Sequence, residues 1–592
     1  MREILERGEG GVGPSVRGDA IKIGNFYTSF MDEARVEALD VKPIAPALAS
    51  IVAAKSHSDF TELMGIRDSF YKPLFRVAIV IDPKDSQRYI VHLSQGGLGL
   101  ATRDYYLSDT FAEKKAGYRT HIAQLLAMVE WPEPDAAAAA IVDFETAIAQ
   151  ASWSRAESRD VEKTSNVLSE SRLAQLAPFP WRRFFHALAL PELQRMLVAE
   201  VSAVPKIADI YANTPLPILK AWQAFHVASG AARFLSQRFV RADFEFYDRT
   251  LSGAVELAPR WKRAVGAVNA AMAEAIGRVY VSRHFPPEAK AQVEAMVEEI
   301  RIALKARIER LTWMALPTKE RALEKLSRVN VKVGHPTTWR DYSDLKISRD
   351  DLVGNVLSGR KFEWMRSINR LNEPVDRSEW LRPPQAVNAY YLRSLNEIVL
   401  LAGVLQPPFF DATADPATNY AGIGTTIGHE LIHGFDDQGR RYDGSGMLSN
   451  WWEAGDLKRF SERAAELGRQ YDAFERFPGA KVNGQLTMGE NIADLGGVAV
   501  AFDAYRHSLR GRPAPVVDGF TGDQRFFLSF AHKWRQVIRD DTARRLLVTD
   551  VHAPPPFRVN GVVRNMDEWY EAFGVQSQDR LYVAPEERVR IW

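Results

Sequence analysis

Cysteine is absent from all 592 residues. Its absence excludes disulfides, thiolate metal ligands and a cysteine nucleophile, so any metal here must be held by His, Asp or Glu. It does not fix a compartment, because a chain can be exported without disulfides. Net charge is nearly absent too, with 76 basic residues against 75 acidic ones and a formal total of +1. That balance argues against nucleic acid or an anionic membrane surface as a partner. Long apolar runs are also missing. The start, Met1-Arg-Glu-Ile-Leu-Glu-Arg-Gly-Glu9, is charged and lacks the apolar core of a signal peptide. The run Ile398 to Leu405 is far too short to span a bilayer. A soluble chain with no membrane segment is expected, and no internal repeat is visible.

What is present suits a large globular protein. Hydrophobic residues make up 46% and aromatics 10%, and the length exceeds what one core usually serves. Gly8-Glu-Gly-Gly-Val-Gly13 reads as a linker, since no strand precedes it. From Asp19 to about Leu197 apolar residues recur at helical spacing, broken at Pro43, Pro46, Pro132, Pro134, Pro178 and Pro180. One strand, Phe75 to Asp82, is expected to pair with Tyr89 to Leu93 as a hairpin. The alanine run 136–140 reads as helix. Further helices are expected over 218–239 and 257–281. Val293, Met296, Val297, Ile300, Leu304, Ile308 and Leu311 then form one apolar helical stripe that reads as core. Composition shifts at the polar loop 334–343 and at Arg382-Pro-Pro384. The expected division is a mainly helical region 1–380, part of it packing on a C-terminal domain 381–592.

The stretch Ile427 to Asp437 contains His429-Glu430-x-x-His433. On a helix, i and i+4 share a face. Two neutral imidazoles so placed can bind one Zn²⁺, with Glu430 beside the water it activates, acting as base. Asn419 is the expected helix cap. With 12 histidines in the chain, chance would produce this pattern in roughly one or two such chains per hundred, so a third ligand is required as support. Glu490 and Asp494, in Met488-Gly-Glu-Asn-Ile-Ala-Asp-Leu-Gly-Gly497, are also an i, i+4 pair. Alone such a pair usually marks a solvated face. Beside the histidine motif, Glu490 reads as the third ligand and Asp494 as the hydrogen-bond acceptor that orients a ligand histidine. His552, on the proline-held loop Asp550 to Arg558, is suited to steady an oxyanion. Arg558 could clamp a substrate carbonyl or carboxylate. Val387-Asn-Ala-Tyr-Tyr391 could offer a strand edge to an extended peptide, with the Asn388 side chain fixing its backbone.

Together these motifs resemble, in order, those of the neprilysin-type zinc metallopeptidases, which include endothelin-converting enzyme and bacterial PepO-type endopeptidases. Asp160-Val-Glu-Lys-Thr164, Leu311 to Lys319 and the ending Val589-Arg-Ile-Trp592 extend the resemblance over nearly the whole chain. It implies a mainly α (α+β) fold: a thermolysin-like zincin catalytic domain capped by a second, helical domain, the two enclosing a central cavity that admits peptides of limited length. It implies one Zn²⁺ per chain on His429, His433 and Glu490, with Glu430 as general base, Asp494 orienting a ligand and His552 stabilising the transition state. Asn388, Ala389 and Arg558 would hold the substrate backbone. Phe530 and Trp534 would lie near the pocket for the residue after the cut, where a hydrophobic residue is expected. A monomer is expected.

Three departures stand out. Val589 and Arg535 occupy positions where the family carries cysteine, and Met447 stands where it usually has Asn. Family members begin with an export signal or anchor followed by an aromatic-rich segment, and Arg2-Glu-Ile-Leu5 resembles the end of the helix beyond it. The resemblance therefore implies an extracytoplasmic location, whereas the chain as written implies a cytoplasmic one. Two competing readings follow: a truncated, catalytically impaired zinc- and peptide-binding homologue, and a zinc aminopeptidase. The intact Glu430 and His552 argue against the first. The second lacks its Gly-x-Met-Glu-Asn signature.

Overall fold

The structure is a computed structural model and describes residues 17–592. The glycine linker and the segment Arg2 to Leu5 lie outside the described residues. Helices dominate, with three small sheets.

The first core draws on residues between Ile44 and Leu251, joined by Val353. Strands β1 (Phe75–Asp82) and β2 (Asp85–Gln95) form the expected hairpin, with Ile81 opposite Tyr89 and Val77 opposite Leu93. Phe75, Val77 and Ile79 alternate inward, as a half-buried strand requires. Two three-residue strands complete this sheet. β3 (Asn166–Leu168) and β4 (Met196–Val198) give the order β1-β2-β4-β3. Both are too short for periodicity to reveal. Helices α1 (Ala112–Met128), α2 (Pro134–Ala151) and α3 (Leu216–Ala231) pack against one another in the same core. A proline opens α2, where its missing N–H costs nothing.

The second core runs from Val281 to Trp592 and contains the histidine motif. Helix α4 (Pro287–Arg310) buries Val293, Met296, Val297, Ile300, Leu304 and Ile308 along one side, the stripe expected from its spacing. Helix α5 (Leu316–Ser327) follows, then a sheet of β5 (Asn330–Gly334), β6 (Ala389–Leu392) and β7 (Glu397–Leu401) in the order β5-β7-β6. β6 is therefore an edge strand, antiparallel to β7. The C-terminal Trp592 is buried against Trp313, Trp452, Phe435 and Phe460, and Trp313 Nε1 donates to Ile591 O at 3.1 Å. Val589 is buried in the same core, so an apolar contact stands where the resemblance places a cysteine.

The two halves touch through named polar contacts. Arg441 pairs with Asp160 at 2.8 Å, Arg159 donates to Leu486 O at 2.8 Å, and Lys114 pairs with Asp541 at 2.9 Å. No helix among the described residues is long and apolar enough to cross a membrane.

Candidate active site

The histidine motif lies in a helical stretch that begins earlier than expected. It opens at Pro416, passes through one π-helical turn at Tyr420–Gly424 and continues as α6 (Thr425–Ile432). Asn419 is thus not the cap. It sits inside the stretch and uses its side-chain amide on the backbone of Asp411. The start is set instead by Pro416 at the first helical position, where a proline loses no hydrogen bond. The His429 and His433 rings meet edge to face, with centroids 4.5 Å apart.

Helix α7 (Met488–Ser508) brings Glu490 and Asp494 to those rings. Glycine makes the approach possible. A Cβ on Gly428 would stand 2.5 Å from the Gly497 carbonyl oxygen, and one on Gly497 would fall on the His429 amide nitrogen. Only hydrogens at both positions let the two backbones come this close.

The outcome is a group of three donors, His429, His433 and Glu490, that could hold a metal ion. Glu490 Oε2 lies 3.3 Å from His429 Nε2 and 3.5 Å from His433 Nε2. A tetrahedral ion with bonds of about 2.0–2.1 Å holds its ligands about 3.3–3.4 Å apart, so the spacing fits zinc. Glu490 Oε2 is also buried without a protein hydrogen bond, as a ligand atom aimed at a metal would be. The Nδ1 atoms face away from this point toward carboxylates: His429 to Asp494 at 2.9 Å and His433 to Asp436 at 2.7 Å. Such partners orient each ring and leave Nε2 for the metal.

The sequence motifs assign no role to Asp436, although its place three residues after His433 is a usable signal. Its other oxygen accepts from the amides of Gln438 at 2.8 Å and Gly439 at 2.6 Å. Buried Lys325, on α5, fixes the same loop by donating to the carbonyls of Gly434, Gly439 and Tyr442 at 2.6–2.8 Å. No local pattern marks a lysine more than a hundred residues upstream as part of this site.

Glu430 is 6% exposed, and burial raises its carboxyl pKa, opposed by the neighbouring histidines. His552 Nδ1 faces Asp550 at 2.7 Å, and Nε2 lies 3.2 Å from Glu490 Oε2. Burial works against its charge, but Glu490 and Asp550 prevail and raise its pKa to about 9. Arg558 is turned toward Asp494, so only part of its guanidinium is left for a substrate. Asn388 is exposed at the head of β6, with its side-chain oxygen accepting from the Ala389 amide at 3.0 Å. All eleven residues singled out in the sequence border one cavity of about 490 Å³: Asn388, Ala389, His429, Glu430, His433, Glu490, Asp494, Phe530, Trp534, His552 and Arg558.

A helix bearing His-Glu-x-x-His, a carboxylate from a second helix packed against it at ligand distance, and an edge strand beside the cavity define a thermolysin-like zinc metallopeptidase. The comparisons agree. The N-terminal model described as "Peptidase family M13" matches residues 1–336, and a second model of that description matches residues 388–589. The chain belongs to Peptidase family M13 and is a zinc metalloendopeptidase. Endothelin-converting enzyme 1 of Bos taurus is 31% identical over 600 residues, covering 97% of this chain and 79% of that protein. The inhibitor complex of the Mycobacterium tuberculosis zinc metalloprotease Zmp1 superposes with a TM-score of 0.95 at 41% identity, covering 100% of this chain and 93% of that one. PepO from Lactobacillus rhamnosis superposes with a TM-score of 0.88 at 28% identity, covering 100% and 92%.

Proposed function

We propose that the enzyme cuts oligopeptides internally, before hydrophobic residues, using one zinc held by His429, His433 and Glu490 with Glu430 as general base. The observation that supports this most is the ligand spacing of 3.3 and 3.5 Å from Glu490 Oε2 to the two histidine Nε2 atoms. When bound, zinc supplies Lewis acidity and a water that is nucleophilic at neutral pH.

The chain's own residues do the rest. Glu430 takes the water's proton and passes it to the leaving amine, a transfer eased by the raised pKa that burial gives it. His552 directs Nε2 at the developing oxyanion while Asp550 holds its other nitrogen. The free edge of β6 pairs with the extended substrate, Asn388 and Ala389 fixing its backbone. The Nη1 of Arg558 reaches a substrate carbonyl while Nε and Nη2 stay on Asp494. Phe530 and Trp534 wall the pocket for the residue after the cut.

An N-blocked, internally quenched peptide tests the reading. Cleavage at an internal bond should stop with chelator and return with Zn²⁺, at one zinc per monomeric chain. Cleavage that requires a free N-terminus would overturn it.

A further inference from the structure

The catalytic cavity contains more positive charge than the reaction uses. Four cationic side chains border it: Arg382, Arg393, Lys533 and Arg558. Arg558 is matched by Asp494. The other three have no carboxylate within 4 Å among the described residues; Glu490 and Asp494 face the histidines of the candidate metal centre, and Glu430 lies beyond ion-pair distance of Lys533.

Lys533 is partly buried in the cavity wall. It ends helix α8 (Gly522–Lys533), and its Nζ donates to the Gly422 carbonyl and the Thr426 hydroxyl, both at 3.2 Å, and to the Thr425 hydroxyl. Every partner is neutral. The ammonium also lies over the rings of Phe530 at 5.4 Å and Trp534 at 5.3 Å. Thr426 precedes Glu430 by one helical turn on the same face, so the charge stands about one turn from the general base. Tying the π-helical turn to α8 would need only a neutral donor. The three N–H donors of Lys533 all meet neutral acceptors, and the nearest carboxylates, Asp494 and Glu430, lie beyond ion-pair distance, so an arriving carboxylate would be its first direct charge partner.

We propose that Lys533 is a specificity-determining residue that draws a substrate carboxylate into the pocket walled by Phe530 and Trp534. Arg382 and Arg393 make the rest of the cavity attractive to acidic oligopeptides. This rests on the pocket assignment made above. Beside the hydrophobic residues assigned to it above, the pocket also takes a glutamate, its apolar stem against the rings and its acid toward the ammonium. The carboxylate can come from an acidic side chain after the cut or from the free C-terminus of a short peptide.

The test uses the zinc-loaded full chain and N-blocked quenched peptides that differ only by Glu or Gln after the cut, each as C-terminal acid and amide, beside a neutral Leu reference. The expected result is a kcat/KM about tenfold or more higher for Glu than Gln, carried mainly by KM, with Lys533→Met bringing the ratio to about one. A difference confined to the acid and amide pair supports the proposal with the C-terminus as the source. Equal rates across both pairs, with the Leu peptide cleaved, would overturn this proposal and leave the endopeptidase reading standing. Should no peptide be cleaved, the endopeptidase reading fails. Calorimetric binding of the Glu and Gln peptides to zinc-loaded Glu430→Gln then decides the Lys533 preference separately, with equal affinities counting against it.

Discussion

Arg558 and Asp494 form a two-pronged ion pair, Nε to Oδ2 and Nη2 to Oδ1, both at 2.6 Å. Asp494 Oδ1 also faces His429 Nδ1 at 2.9 Å. Arg558 lies in the helix Pro555–Val563 that follows His552, not in a loop as expected, so one carboxylate ties that helix, helix α7 and the first histidine together. Both partners are buried, and removing one from such a pair leaves an uncompensated charge costing about 3–5 kcal/mol. Asp494→Ala is expected to lower the melting temperature and to weaken zinc binding about 10- to 100-fold. Zinc competition against a chelator of known affinity checks this, and unchanged affinity would show that Asp494 does not orient His429.

Glu430→Gln keeps the size and burial of the side chain but removes its basicity. The variant is expected to bind zinc like the parent while kcat falls by about 10²- to 10⁴-fold. Zinc content by atomic absorption beside peptide turnover separates the two effects. Full turnover with zinc bound would assign the proton transfer elsewhere.

Gly497→Ala places a methyl against the His429 backbone where no flexible side chain can yield. Helix α7 must then move away from α6, carrying Glu490 out of ligand distance. Loss of bound zinc is expected to accompany the loss of activity, and excess zinc should restore part of it. A variant with parental zinc affinity would show that the helix contact tolerates a methyl group.

The pH dependence of stability should change when metal is removed. In the metal-free protein His552 is raised from its ordinary 6.5 to about 9 by Glu490 and Asp550, against the effect of burial. A base raised on folding stabilises fully below about pH 6.5, and that contribution is lost as pH climbs through about 9. Bound zinc takes over the Glu490 charge and requires deprotonated histidine ligands. Lys325 and Lys533, both pushed down to about 7 by burial, act in the opposite sense. Their effects largely cancel in the difference between the two forms. The melting-temperature gap between zinc-loaded and metal-free protein should therefore widen from pH 6.5 to 9 in a thermal-shift series. A constant gap would contradict this account.

Much of the local structure was legible because it is periodic. The inward alternation of Phe75, Val77 and Ile79 and the stripe from Val293 to Ile308 follow directly from strand and helix repeats. The strands at 166–168 and 196–198 carry no legible period because they have three residues each, and the helical stretch opens at Pro416, ahead of the expected cap Asn419. At the site, residues close in sequence could be read together: His429 with His433, and Glu490 with Asp494.

By itself, the sequence determined the chemistry available. Without cysteine the metal could only be held by histidine and carboxylate, and i, i+4 spacing put each pair of groups on one helix face. Tertiary structure decided what those groups do to one another. Gly428 against Gly497 sets the separation between helices 57 residues apart, counting from His433 to Glu490, and so the 3.3 Å between His429 and Glu490. Lys325 and Lys533 join the site through contacts more than a hundred residues away along the chain. Such contacts depend on how whole helices pack, and close packing of backbones is a property of two surfaces meeting, which no single stretch of sequence encodes.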